Sequence, residues 1–109
     1  PLLKTATIGV SRDPSPVSPS DSDAYRLIER TIRETMPEAI VAPGLVIAGT
    51  DSRQMSGLTP NVYRFLPVRA KPEDLPRFHG TNERIGVENY AEVIRFFHRL
   101  ISVSAMEGK

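Results

Sequence analysis

Cysteine is absent from the 109 residues, and so is tryptophan. Without thiols the chain can build neither a disulfide framework nor a thiolate metal site, and cysteine usage leaves the compartment open. Histidine is scarce, with only His79 and His98. No charge of one sign prevails. Fourteen basic residues against 13 acidic ones leave a net charge of +1, without the electrostatic footprint of a chain that binds nucleic acid or an anionic membrane. No apolar run approaches the roughly 20 residues that a membrane-spanning helix needs. HExxH, Gly-x-Ser-x-Gly, the phosphate-cradling glycine loop and the dinucleotide fingerprint are all missing. The chain opens on Pro1-Leu2, with neither an initiator methionine nor a signal-peptide pattern, which raises the expectation of a processed chain or a fragment.

What is present is ordinary in bulk and specific in detail. A hydrophobic content of 39% and a charged content of 25% fit a globular chain the size of one small domain. Residues 3–10, "LKTATIGV", are rich in β-branched types and read as a strand. "SRDPSPVSPSDSD" holds three prolines among small polar residues and reads as a linker. Ser20 and Asp23 form a capping-box-like start to a helix. Ala24, Leu27, Ile28, Thr31, Ile32 and Thr35 mark its apolar face, and Pro37 ends it. Its other face, Arg26, Glu29, Arg30, Arg33 and Glu34, reads as solvated.

"GLVIAG" at 44–49 is a continuous apolar run, the pattern of a strand covered on both faces. "VYRFLPV" at 62–68 reads as another strand, with Pro67 placing it at an end or an edge. After an irregular connection, Val87, Tyr90, Ala91, Ile94, Phe97, Leu100, Ile101 and Ser104 predict one face of a final helix of about 18 residues, with Gly86 as N-cap. The order strand, linker, helix, strand, strand, helix fits part of an α/β layered domain.

Two stretches carry candidate chemistry. In "RFHGTNERIG", His79 offers an imidazole that suits zinc, and Gly80 beside it permits close backbone approach. Taken alone, His79 reads first as a structural or surface histidine, because a catalytic zinc needs three protein ligands and the sequence supplies no set of partners. His98, between Phe97 and Arg99, reads as an ordinary helix residue. In "AGTDSR", Asp51 and Arg53 follow a buried strand, where ligands of open α/β sheets bind. Arg53 is suited to a bidentate grip on a carboxylate. The plainer reading is a loop whose Thr50, Asp51 and Ser52 satisfy local backbone groups.

Taken together, "GTDSR", "YRFLPV" and "RFHGTNERI" followed by "VENYAEVIRFF" resemble the C-terminal end of the dinuclear zinc exopeptidase and amidohydrolase family, peptidase family M20. "DPSPVSPSDSDAYRLIERTIRE" is similar to its carboxypeptidase S branch, which includes Gly-Xaa carboxypeptidases and N-fatty-acyl-amino acid hydrolases. The resemblance implies a three-layer α/β catalytic domain with two zinc ions and an inserted lid domain. Residues 1–12 would be the last strand of the lid, 13–22 a linker, and 23–109 the C-terminal part of the catalytic domain. By the same resemblance His79 is the last zinc ligand, and Arg53 with Asp51 lines the substrate site. Asn82 and Glu83 would support the ligand loop. Ala48-Gly49 where relatives often carry two glycines, and Gln54-Met55 where they often carry an aromatic or histidine, are departures from the family pattern.

The remaining zinc ligands, the general-base glutamate and a lid histidine would lie upstream. The implied substrate is a peptide or N-acyl amino acid, the implied reaction hydrolysis of an amide next to a free carboxylate, and the isolated chain is expected to be inactive. Unpaired strand edges would favour self-association or a homodimer. The competing expectation is a non-catalytic α/β interaction module derived from such an enzyme.

Overall fold

The computed structural model describes residues 14–107. The strand expected at 3–10 and the lid boundary expected at residue 12 lie outside the described residues. Two α-helices, two short 3-10 turns and long irregular segments make up the rest.

The first helix, α1 (Asp23–Thr35), follows the predicted pattern closely. Its cap is Ser22, whose hydroxyl accepts from the Tyr25 N–H at 3.1 Å. The expected start at Ser20 is therefore corrected by two residues: a cap must adjoin the first helical residue, and Ser20 sits earlier, in a turn. Asp23 then falls in the first turn, where its carboxylate meets the positive end of the helix. Thr31 and Ile32 are buried, with Ala24, Leu27, Ile28 and Thr35 half-buried beside them, as the spacing predicts. Thr31 can be buried because its hydroxyl donates to the Leu27 carbonyl at 2.8 Å. Met36 leaves the helix at φ −140°, since the ring of Pro37 disfavours helical backbone in the residue before it.

The second helix, α2 (Val87–Glu107), runs 21 residues. Its entrance is Gly86, whose carbonyl accepts from Tyr90 N at 2.8 Å. Here the expected face is packed only in part, with its Leu100 against the core and Ala91 half-buried. Asn89, Phe96 and Val103 are buried with Leu100 half-buried, whereas Val87 (87% exposed), Tyr90, Ile94, Phe97 and Ile101 (64% exposed) face outward. The helix is apolar on two sides, and α1 covers only one of them. Phe96, 1% exposed, joins Ile32 and Met36 in the core, flanked by Ile28, Ala39, Val41 and Leu100. Phe65 stacks edge-on against Phe96 with ring centroids 5.2 Å apart. Across the rim, Arg99 reaches Glu34 at 2.6 Å and holds that carboxyl below its usual range.

The strands expected at 44–49 and 62–68 do not form among the described residues, where no backbone ladder is present. A strand exists only with a neighbour to accept its hydrogen bonds, and neither segment finds one. Side chains take over part of that task along 62–69. Ser18 Oγ donates to the Val62 carbonyl at 2.9 Å and accepts from the Val62 N–H at 3.0 Å. At the other end, Asn89 Nδ2 donates to the Pro67 carbonyl at 2.9 Å, and its Oδ1 accepts from Arg69 N–H at 2.8 Å. The apolar run 45–47 gains no cover: Leu45 is 75% exposed and Ile47 99%. The Cα radius of gyration is 17.7 Å, against about 13 Å for a compact domain of this length.

Candidate functional site

The Asp51–Arg53 stretch is a built turn. After the extended segment, the chain winds into a 3-10 turn, Asp51–Met55. The Arg53 N–H donates to the Thr50 carbonyl at 3.1 Å, and the Arg53 carbonyl accepts from the Ser56 hydroxyl at 2.7 Å and the Ser56 N–H at 3.3 Å. The backbone of Arg53 is thus fixed on both sides. Its side chain is half-buried, while Asp51 is exposed. Thr50 and Ser52 share a hydroxyl–hydroxyl bond, and Arg64 Nε donates to both, at 2.9 and 2.6 Å. Arg53 and Arg64 line one end of an open groove of about 1080 Å³. Its walls come from α1 and from residues 39–49 and 62–69, with Ile28, Ile32, Val46 and Phe65 among them.

The His79 segment hangs from the other end of 62–69. At that end Asn89 and Arg69 form a node. Arg69 reaches Glu92 at 2.7 Å and also bonds Glu38, and Asn89 Nδ2 donates to Glu92 at 3.0 Å. The guanidinium beside them holds the carboxyls of Glu38 and Glu92 below their usual range, with Asn89 adding to the effect on Glu92. The node draws together the start of the connection at Arg69 and its return at the first turn of α2. Residues 70–86 therefore form a loop closed at its neck.

Within that loop Pro72 opens a second 3-10 turn, Pro72–Arg77. Asp74 caps it by accepting from the Lys71 N–H at 3.0 Å. This bond, with Arg77 nearby, keeps the Asp74 carboxyl below its usual range. The chain then reverses sharply. Gly80 N–H donates to the Arg77 carbonyl at 2.9 Å, and a Cβ at Gly80 would meet the Pro76 carbonyl oxygen at 2.8 Å. Glycine is required at that contact. His79 and Asn82 both take left-handed backbone, φ 59° and 64°. Asparagine tolerates this region readily, and histidine does so less often. Such conformations cost on the order of 1–3 kcal/mol each and tend to gather where a side chain is aimed for a purpose.

His79, Asn82 and Glu83 are exposed. Among the described residues no group of three or more His, Asp or Glu is placed to hold a metal ion. His79 offers one nitrogen donor, and the donor set of a zinc centre is not assembled by the described residues alone. The candidate residues stay in two turns at opposite ends of one extended segment. Arg64, Arg69 and Asn89, which fix those turns, escaped the sequence reading. The signal was there in part: an arginine inside the apolar run "YRFLPV" and an asparagine in the first turn of a helix.

Residues 4–103 match the model of peptidase family M20/M25/M40. The chain belongs to that family. It is 46% identical over 92 residues to the N-fatty-acyl-amino acid synthase/hydrolase PM20D1 of Homo sapiens, covering 82% of this chain and 18% of that protein. PM20D1.1 of Danio rerio, of the same description, is 40% identical over 94 residues, covering 84% and 18%. A probable carboxypeptidase S-like 2 of Dictyostelium discoideum is 37% identical over 99 residues, covering 91% and 19%. The chain thus lies in the carboxypeptidase and N-acyl amino acid hydrolase branch, and spans less than a fifth of these relatives' length. No solved structure matches it. Family membership implies the α/β peptidase fold, of which the described residues hold two helices and two unpaired extended segments.

Proposed function

We propose that these residues are the C-terminal part of the catalytic domain of a zinc-dependent M20 hydrolase that cleaves an amide next to a free amino-acid carboxylate. The observation that carries the reading is the family match over residues 4–103, at less than a fifth of the relatives' length. His79 supplies one of the ligands of a two-zinc centre, whose other ligands and general-base glutamate come from the remainder of the polypeptide. Arg53 reads the substrate carboxylate, Asp51 lines the same loop, and Asn82 with Glu83 steadies the ligand turn. The substrate is an N-acyl amino acid or a peptide with a free C-terminus. The zinc ions would polarise the amide carbonyl.

The physical state of the chain supports the same reading. Leu45 and Ile47 stand exposed on a segment with the pattern of a two-face-covered strand. The outer face of α2 and the 1080 Å³ groove are further apolar surface without cover. The rest of the catalytic domain fills these places, pairing the two extended segments into its sheet. Residues 1–12 belong to the lid domain and 13–22 return the chain from it.

The test is metal content and turnover of the longer protein that carries these residues. His79→Ala should remove one metal equivalent and abolish hydrolysis of an N-acyl amino acid. Unchanged metal content would take His79 out of the ligand set. The 109-residue chain alone should hold no stoichiometric zinc, and amide hydrolysis by it would refute the reading of an incomplete site.

A further inference from the structure

The substrate arginine of a carboxylate site must be held still, because a bidentate grip works only within a narrow geometry. Arg53 sits in a turn whose own hydrogen bonds are short-range, between residues 50 and 59. What ties that turn to the neighbouring segment is another arginine. Arg64 Nε donates at 2.9 Å to Thr50 Oγ1 and at 2.6 Å to Ser52 Oγ, reaching back 14 and 12 residues. The two hydroxyls bond each other, so the guanidinium and both side chains form one closed triangle. Asp51 lies between the two bonded residues, and the Arg53 N–H hangs on the carbonyl of Thr50. Movement of Thr50 therefore moves Arg53 directly.

We propose that Arg64 is the positioning residue of the carboxylate site: by clamping Thr50 and Ser52 it fixes the turn that presents Arg53 to the substrate carboxylate. The proposal rests on the reading of Arg53 given above. A lysine replaces Arg64 only in part, since the shared N–H is Nε, within the side chain, and a lysine carries its donors one atom farther out. The clamp acts on substrate binding and leaves the metal ligands on the other loop alone. Arg64 is itself anchored: Val62, two residues before it, is held by Ser18, and Phe65, one residue after it, packs on Phe96.

The experiment uses the full-length hydrolase, with kcat, KM and metal content measured on an N-acyl amino acid. Arg53→Ala is the control for the underlying reading. If it leaves KM unchanged, the carboxylate site lies elsewhere, and that reading fails whatever Arg64 does. With Arg53→Ala raising KM, Arg64→Ala should raise KM about 10-fold or more while kcat changes less than about 3-fold, the pattern of lost ground-state binding. Metal content should stay at the wild-type value, and Arg64→Lys should recover part of the loss. A double variant, Thr50→Val with Ser52→Ala, keeps Arg64 and removes its acceptors; it should reproduce the KM effect, and it decides alone if Arg64→Ala fails to fold. An unchanged KM in the double variant, or a parallel loss of metal and kcat, overturns the proposal.

Discussion

Asn89→Ala tests the neck of the His79 loop. The Asn89 side chain is 9% exposed and makes three hydrogen bonds: from Arg69 N–H at 2.8 Å, to the Pro67 carbonyl at 2.9 Å and to Glu92 at 3.0 Å. Truncation leaves Glu92 with its Arg69 partner, so that bond is the least missed. The Arg69 N–H and the Pro67 carbonyl lose the partner they share; Arg69 is exposed, Pro67 is buried, and an unsatisfied buried group costs about 1–3 kcal/mol. Water can take over the bond of the exposed Arg69 N–H, which leaves an expected loss of about 1–3 kcal/mol from the Pro67 carbonyl. Asn89→Asp sharpens the point. It keeps an acceptor for Arg69 but sets an oxygen where the donor faced Pro67 and Glu92. Urea unfolding of the full-length protein gives the magnitude, and amide hydrogen exchange at Arg69 and across 70–86 gives the location. A midpoint equivalent to less than about 0.5 kcal/mol of loss, with Arg69 exchange unchanged, would refute the idea that Asn89 closes the loop.

Two further outcomes are expected. Phe96→Ala removes the 1% exposed ring at the centre of the Ile32–Met36–Phe65 contacts and should cost about 3–5 kcal/mol in chemical denaturation. The carboxyls of Glu38 and Glu92 are held below their ordinary value of 4.5 by Arg69. Their stabilising share is therefore present above that value and lost as pH falls through the lowered ones. Glu38 is exposed and Glu92 half-buried, with Arg69 itself at the surface, so the effect is small and weakened by salt. Arg69→Met should flatten the acid side of the stability–pH curve between pH 7 and 3.

The helices were legible because their determinants are local. The three- and four-residue spacing of Ile28, Thr31, Ile32 and Thr35 and the stop at Pro37 lie within one stretch of chain. The cap was misplaced by two residues because four candidates, Ser20, Asp21, Ser22 and Asp23, stand in a row, and only backbone geometry chooses among them. The strands failed for the opposite reason. A strand's hydrogen bonds belong to its neighbours, and the composition of "GLVIAG" or "VYRFLPV" states what the segment can do, not that a partner is present. The site shows the same divide. His79, Asp51 and Arg53 stand out by chemical type, whereas Arg64 and Asn89 matter through contacts 12 to 22 residues away. Such contacts leave no spacing to read.

The second helix sets out why a periodicity can be right and its face right only in part. The predicted stripe, Val87, Tyr90, Ala91, Ile94, Phe97, Leu100, Ile101 and Ser104, is exposed along much of its length, whereas the core takes Phe96 from beside it and shares Leu100 with it. Two adjacent phenylalanines at 96 and 97 allow both faces to be apolar, and the periodicity of one helix cannot rank them. An apolar helix face is stable in water when a neighbour covers it. With one side taken by α1, the other needs a cover of its own. The exposed run 45–47 makes the same demand from the sheet side. Both demands are met if the chain is one edge of a larger α/β layer, and then the bare run 45–47 and the bare face of α2 have a single cause.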